Sequence, residues 1–171
     1  MDSTEADQPG SAPLAQGPFV GPKAFADLIR SALLQAAHEG WAEMVWSDAS
    51  FEDWPLCEKS VVEALNAWAR KGRKLTLLAH HYDAMRRLHP RFVEWRVRWD
   101  HLVECRVCKG VSVTDFPSGL WTPSWALRRL DLVHSTGVCS VEPRMRLLLR
   151  EKMEEIKRQS SPGFPASILG I

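Results

Sequence analysis

Residues 41–79 read as an apolar strand, an amphipathic helix and a second apolar strand in succession, and no other stretch restricts the fold as much. Two parallel strands need a crossover of roughly a dozen residues or more, which a helix supplies, and the crossover brings both carboxyl ends to one edge of the sheet. Asp48 stands near the end of the first strand, and His80 and His81 at the end of the second. They are expected on a common rim, the usual ligand crevice of an open α/β sheet.

Cys57, Val61, Leu65 and Trp68, supported by Val62 and Ala69, recur at helical spacing between the two strands. Pro55 fits only the first turn of a helix, so Asp53 is the favoured cap and Gly72 the left-handed stop. Upstream, a helix over 23–39 sets Phe25, Leu28, Ile29, Ala32, Leu33 and Ala36 on one stripe. Downstream, residues 82–101 have helical spacing broken at Pro90, with Phe92, Trp95, Trp99 and Leu102 on one face of the second piece. Strands follow at 103–107 and, beyond a loop rich in Gly, Ser and Pro, at 125–130 and 133–141. Pro143 opens a last helix to about residue 159, with Met145, Leu148, Leu149, Met153 and Ile156 inward. This order gives an α/β fold, a three-layer domain with a mixed, largely parallel sheet.

Residues 1–22 are rich in Pro, Gly, Ser, Ala and Gln without an apolar period, so a disordered leader is expected ahead of a single domain over 23–159. Residues 160–171 are apolar but contain two prolines, which excludes a regular helix or strand interior. They are expected to dock over the core as an extended strip.

A formal net charge of +1 gives no long-range attraction to nucleic acid or to an anionic membrane. The acidic opening residues and the lack of an apolar run near 20 residues point to a cytoplasmic protein with no membrane partner. Cys57, Cys105, Cys108 and Cys139 are too sparse for a disulfide scaffold and read as reduced thiols.

Asp48, His80, His81 and Asp83 have the chemistry for acid–base work, because imidazole titrates near neutrality and a carboxylate can orient it. Capping and loop hydrogen bonds account for the same residues without catalysis. No G-x-S-x-G, Walker or G-x-G-x-x-G pattern occurs. Cys105-Arg-Val-Cys108 resembles half a zinc knuckle that His134 and Cys139 could complete, yet on a strand residues i and i+3 face apart. Buried thiols are the plainer reading, and no cofactor is expected.

Of the eight tryptophans, Trp41, Trp46, Trp68, Trp95 and Trp99 fall at inward positions, whereas Trp54, Trp121 and Trp125 fall near loops, where bases could stack. Arg86, Arg87, Arg91, Arg96, Arg98, Arg106 and Lys109 form one basic group, and Arg128, Arg129, Arg144 and Arg146 another. Arginine forks suit phosphate and carboxylate, so an anion is the ligand class to expect, with phosphate or nucleic acid as special cases.

The segments Glu43-Met-Val-Trp-Ser-Asp48, Arg73-Lys-Leu-Thr-Leu-Leu-Ala79 and Thr136-Gly-Val-Cys-Ser-Val-Glu-Pro143, each before a helix, give an element order that resembles one half of a phospholipase D-like domain. A flavodoxin-like or other three-layer α/β domain competes with it. Active members carry His-x-Lys, then four residues and Asp. Two positions beyond the six histidines of this chain stand Gly40, Tyr82, Asp83, Arg91, Val103 and Thr136, and none is lysine. His89-Pro-Arg91 comes nearest, with Arg96 where Asp is needed. The resemblance therefore implies a fold without its chemistry, as in inactive bacterial members. Because active sites of that family are built from two facing halves, it also implies a homodimer through an isologous face.

The expected function is a catalytically silent, cytoplasmic binding or scaffold module whose ligand rim is Asp48, His80, His81, Asp83 and Arg91. One alternative is a phosphoryl-transfer or hydrolytic enzyme built around Asp48, His80 and His81. Another is a nucleic-acid binder using an Arg/Trp surface, against which the near-neutral charge argues.

Overall fold

The strand–helix–strand unit forms as β2 (Glu43–Ser47), α2 (Lys59–Ala69) and β3 (Lys74–Ala79), with β2 and β3 parallel in the computed structural model, which describes residues 13–71 and 73–165. Alternation along β2 sends Met44 and Trp46 to one side and Val45 and Ser47 to the other. Both sides are buried, so both faces of the sheet are covered.

One face carries α1 (Pro22–Glu39), α2, α3 (Asp83–Leu88) and α4 (Pro90–Arg98), with Ile29, Leu33, Leu65, Trp68, Met85, Phe92 and Trp95 packed against Met44, Trp46, Leu75 and Leu77. The other face carries α5 (Pro143–Arg158), whose Leu149, Met153 and Ile156 meet Val45, Leu78 and Ala126. The result is three layers. Met145 and Leu148, expected inward on α5, are half-buried and exposed, because Leu149 leads the buried stripe and Leu148 lies about 100° around the helix from it.

The remaining strands are β1 (Gly17–Phe19), β4 (Val103–Val107), β5 (Ser118–Trp121), β6 (Ala126–Asp131), β7 (Thr136–Ser140) and β8 (Ser161–Pro162), in the order β1-β7-β6-β5-β2-β3-β4-β8. Only β2–β3 and β3–β4 are parallel among the seven pairings. The sheet is mixed, as expected, but largely antiparallel. The difference comes from β5, β6 and β7, which follow one another as a meander through short connections, and from the edge strands at each end.

Two short edge segments depart from the expected disorder and loops. Gly17–Phe19 pairs with β7 while the Ala15 carbonyl accepts from the Trp125 indole at 2.9 Å, so the chain is ordered from residue 13 to α1. Residues 1–12 of the expected leader lie outside the described residues. Gly137 allows the close approach of this edge, since a Cβ there would overlap the Arg128 carbonyl and the Phe19 ring. At the other edge, Ser161–Pro162 pairs with β4 and Phe164 is buried, while residues 166–171 of the expected tail lie outside the described residues.

The start of α2 is corrected from Asp53 to Glu58, whose carboxylate is held by Arg30 at 2.6–3.0 Å. Asp53 is engaged elsewhere, and Trp54 and Leu56 turn into the core before the helix begins. The expected stop at Gly72 lies outside the described residues. No helix among the described residues is long and apolar enough to cross a membrane.

Candidate functional site at the strand-end rim

Three side chains lie in one row across β2, β5 and β6. Ser47 pairs with Gly119 and Ser118 with Arg129, so Asp48, Ser118 and Arg129 fall side by side on the helix-rich face. Asp48 Oδ1 accepts from Ser118 Oγ at 2.7 Å and from Arg129 Nη2 at 2.9 Å. Its Oδ2 accepts from the amides of Ser50 and Phe51 at 3.2 and 2.8 Å, which fixes the loop leaving β2. His89 donates from Nε2 to the Phe51 carbonyl at 2.8 Å and pins the same loop from α4.

Arg129 completes the cluster from the other side. Its guanidinium reaches Asp53, donates to Ser118 Oγ at 3.1 Å and Ser135 Oγ at 3.2 Å, and lies 4.0 Å from the centre of the Phe25 ring. The Arg129 and Asp48 side chains are 3% and 7% exposed. Burial works to lower the Arg129 pKa, and the Asp53 and Asp48 carboxylates more than offset it, so the group is held above its ordinary range. A buried charge keeps its ionised form only when paired and hydrogen-bonded in this way.

A cleft of about 330 Å³ opens beside this cluster, and Asp48, Glu52, Asp53, Arg129 and Val113 are among its walls. Three carboxylates against one guanidinium make it unsuited to an anion. Arg129 was missed by sequence reasoning as a structural ion. Its signal was the Arg128-Arg129 pair inside a strand, where alternation forces one of two neighbours inward.

The histidines stand apart from Asp48. His80 and His81 donate their backbone amides to the Ala49 carbonyl at 3.0 and 3.2 Å, which ties the end of β3 to the loop after β2. Their rings meet edge-on at 5.8 Å, and both are half-buried. The Nδ1 atoms of both are buried without a hydrogen-bond partner among the described residues. Burial, then the charges of Lys109 and His81, push the His80 pKa below its ordinary value. Asp83 is exposed and stands 4.0 Å from His81 Nδ1.

Arg91 lies in a separate groove between α2 and α4, donates to the Cys57 carbonyl at 2.8 Å, and makes no hydrogen bond or ion pair with Asp48, His80, His81 or Asp83. The expected rim is therefore three places: an Asp48–Arg129 cluster, a His80–His81 pair with Asp83, and Arg91 elsewhere.

The cysteines do not assemble either. Cys105 and Cys108 belong to the cores on opposite faces of the sheet, and Cys139 on β7 is five strand spacings from β4, about 24 Å. His134 bonds Asp131 through Nδ1 at 2.7 Å. Among the described residues no three His, Cys, Asp or Glu side chains are placed to hold a metal. Trp54 and Trp125, expected near loops and open to stacking, are buried, and Trp121 lies half-buried under Arg150.

No family model and no curated protein matches the sequence. Solved structures do match the fold. TrmBL2, an archaeal chromatin protein whose structure shows a novel mode of DNA binding, is 17% identical with a TM-score of 0.64 over 91% of this chain, and the chain spans 56% of its length. NucT from Helicobacter pylori is 9% identical with a TM-score of 0.55, covering 87% of this chain and 99% of its own. Nuc from Salmonella typhimurium, a phospholipase D family member, is 10% identical with a TM-score of 0.53, covering 88% of this chain and 100% of its own. With the mixed eight-stranded sheet between two helical layers, these likenesses establish that the chain has a phospholipase D-like α/β fold.

Proposed function

We propose that this chain is a non-catalytic binding module of the cytoplasm, built on a phospholipase D-like fold. The observation that carries the reading is the state of Asp48: all its hydrogen bonds go to fixed internal donors, and its charge is matched by a buried arginine. A general acid or base must reach a substrate proton, and both oxygens of this carboxylate are already taken by internal donors. The six histidines likewise lack the lysine partner that active members of the fold use.

The groups left to meet a ligand are the half-buried His80 and His81, and the charge of Lys109 acts on His80. Imidazole donors beside an ammonium suit an anion, phosphate included. The test compares wild type with His80→Ala/His81→Ala on chromogenic phosphodiester and phosphomonoester substrates, and by titration with inorganic phosphate. Matched absence of turnover, with phosphate binding lost in the variant, is expected. Turnover by wild type that the variant loses overturns the reading in favour of an enzyme.

The homodimer belongs to the same proposal, because the chain corresponds to nearly the whole of NucT and Nuc, and the phospholipase D-like resemblance implies a site built from two facing halves. Light scattering giving a monomer mass at micromolar concentration counts against it. A second reading, DNA contact, is favoured by the likeness to TrmBL2 and by exposed Arg86, Arg87 and Arg98 on α3 and α4. It predicts salt-dependent retention on a duplex DNA column, and no retention at low salt removes it.

A further inference from the structure

Helix α5 lies alone on its face of the sheet, whereas α1 to α4 share the other face and pack on one another. Its inner stripe, Leu149, Met153 and Ile156, is buried on the strands, and its outer side carries Leu147 and Leu148, which are 57% and 51% exposed. Among the described residues α1, α3 and α4 each expose one large aliphatic side chain, Leu34, Leu88 and Val97, and α5 exposes two side by side. We propose that this outer face is the surface through which the chain pairs with a second copy of itself, α5 against α5 in antiparallel register.

The occupant is read from the charges around the two leucines. Arg144 stands about one turn before them and Glu151 about one turn after, both exposed. Each of these charges is three or four positions from both leucines, so the four side chains form one continuous patch on the helix surface. The ion pairs that α5 makes within the chain, Arg150 with Glu43 and Glu154 and Lys157 with Glu104, use other residues of the helix.

Along the helix the patch reads basic, apolar, apolar, acidic: Arg144, Leu147, Leu148, Glu151. Reversing the direction leaves the spacing unchanged and exchanges the two charges. An identical helix laid antiparallel therefore meets Arg144 with Glu151 twice and Leu147 with Leu148 twice. That is the self-complementarity a closed two-fold contact requires.

Other occupants fit this face less well. A membrane surface or a nucleic acid calls for positive charge alone, and here Arg144, Lys152 and Arg158 are mixed with Glu151 and Glu155. Both ends of the described chain lie in the opposite layer, where Leu14 packs on the core beneath α1 to α4 and Phe164 stacks on Tyr82 within it. The surface rests on the homodimer proposed above and gives that dimer a location.

Sedimentation velocity on the wild type, on Arg144→Glu, on Glu151→Arg and on an equimolar mixture of the two variants tests the pairing. The wild type is expected to sediment as a dimer. Each variant alone is expected to dissociate with a constant roughly tenfold higher or more, because two like-charge contacts replace two opposite ones. The mixture is expected to recover the dimer, since the variants restore opposite charges when they face each other, and that recovery also shows both to be folded. Variants that stay dimeric alone overturn this surface and leave the homodimer standing. Variants that stay monomeric when mixed overturn the antiparallel register. A monomeric wild type overturns the surface and the homodimer together.

Discussion

Parallel neighbours β2 and β3 end side by side on one rim, yet the polar groups they deliver live in opposite conditions. Asp48 turns across β5 to β6, where Ser118, Arg129 and two backbone amides satisfy it. His80 and His81 stay at the end of β3, half-buried, and their Nδ1 atoms have no hydrogen-bond partner among the described residues. The difference follows from the sheet order. Beyond β2 lies a meander whose row of side chains is polar on the inner face, and beyond β3 lies β4, whose inner residues Val103 and Cys105 are apolar. One half of the rim is a structural joint, and the other half is the part proposed above to meet a ligand.

Breaking the joint is expected to have the largest effect. Arg129→Ala leaves Asp48 as a buried carboxylate without its counter-charge, a loss of about 3–5 kcal/mol in denaturant unfolding. Ser118→Ala removes a donor to Asp48 and an acceptor from Arg129 together, and about 1–3 kcal/mol is expected from the same measurement. The other half of the rim behaves differently. His80→Ala/His81→Ala changes stability by no more than about 0.5 kcal/mol, and a larger loss shows that the pair is part of the structure.

The smallest effect sharpens the comparison through pH. Because the folded chain lowers the His80 pKa below 6.5, the unfolded chain binds more protons in the window just below that value. Stability therefore rises with pH through this window and is lost as pH falls through it. His80→Asn flattens that part of the profile, and an unchanged slope contradicts the assignment to His80.

Local periodicity made the helices legible, since apolar stripes such as Val61, Leu65 and Trp68, and the break at Pro90, need only neighbours in sequence to be read. The strands β3 and β4 were legible for the same reason. What sequence hid was long-range pairing. β5 sits in a segment rich in Gly, Ser and Pro, and Ser118-Gly119 becomes a strand only because β2 and β6 lie on either side. β1 and β8 are edge strands of three and two residues, too short to show alternation. The sequence placed Asp48 and His80-His81 at neighbouring strand ends, but it grouped Arg91 with them, which the structure sets in a separate groove. Asp48 was visible, but its partner Arg129 lies 81 residues away and no local spacing connects them.

The central claim is that Asp48 holds the fold together and takes no part in turnover, and Asp48→Asn tests it most directly. Unfolding free energy and phosphodiester hydrolysis are measured on the same preparations of wild type and variant. The account predicts a stability loss of about 3 kcal/mol, with hydrolysis at the buffer rate for both proteins. A variant of full stability that has lost a hydrolytic rate present in the wild type contradicts it.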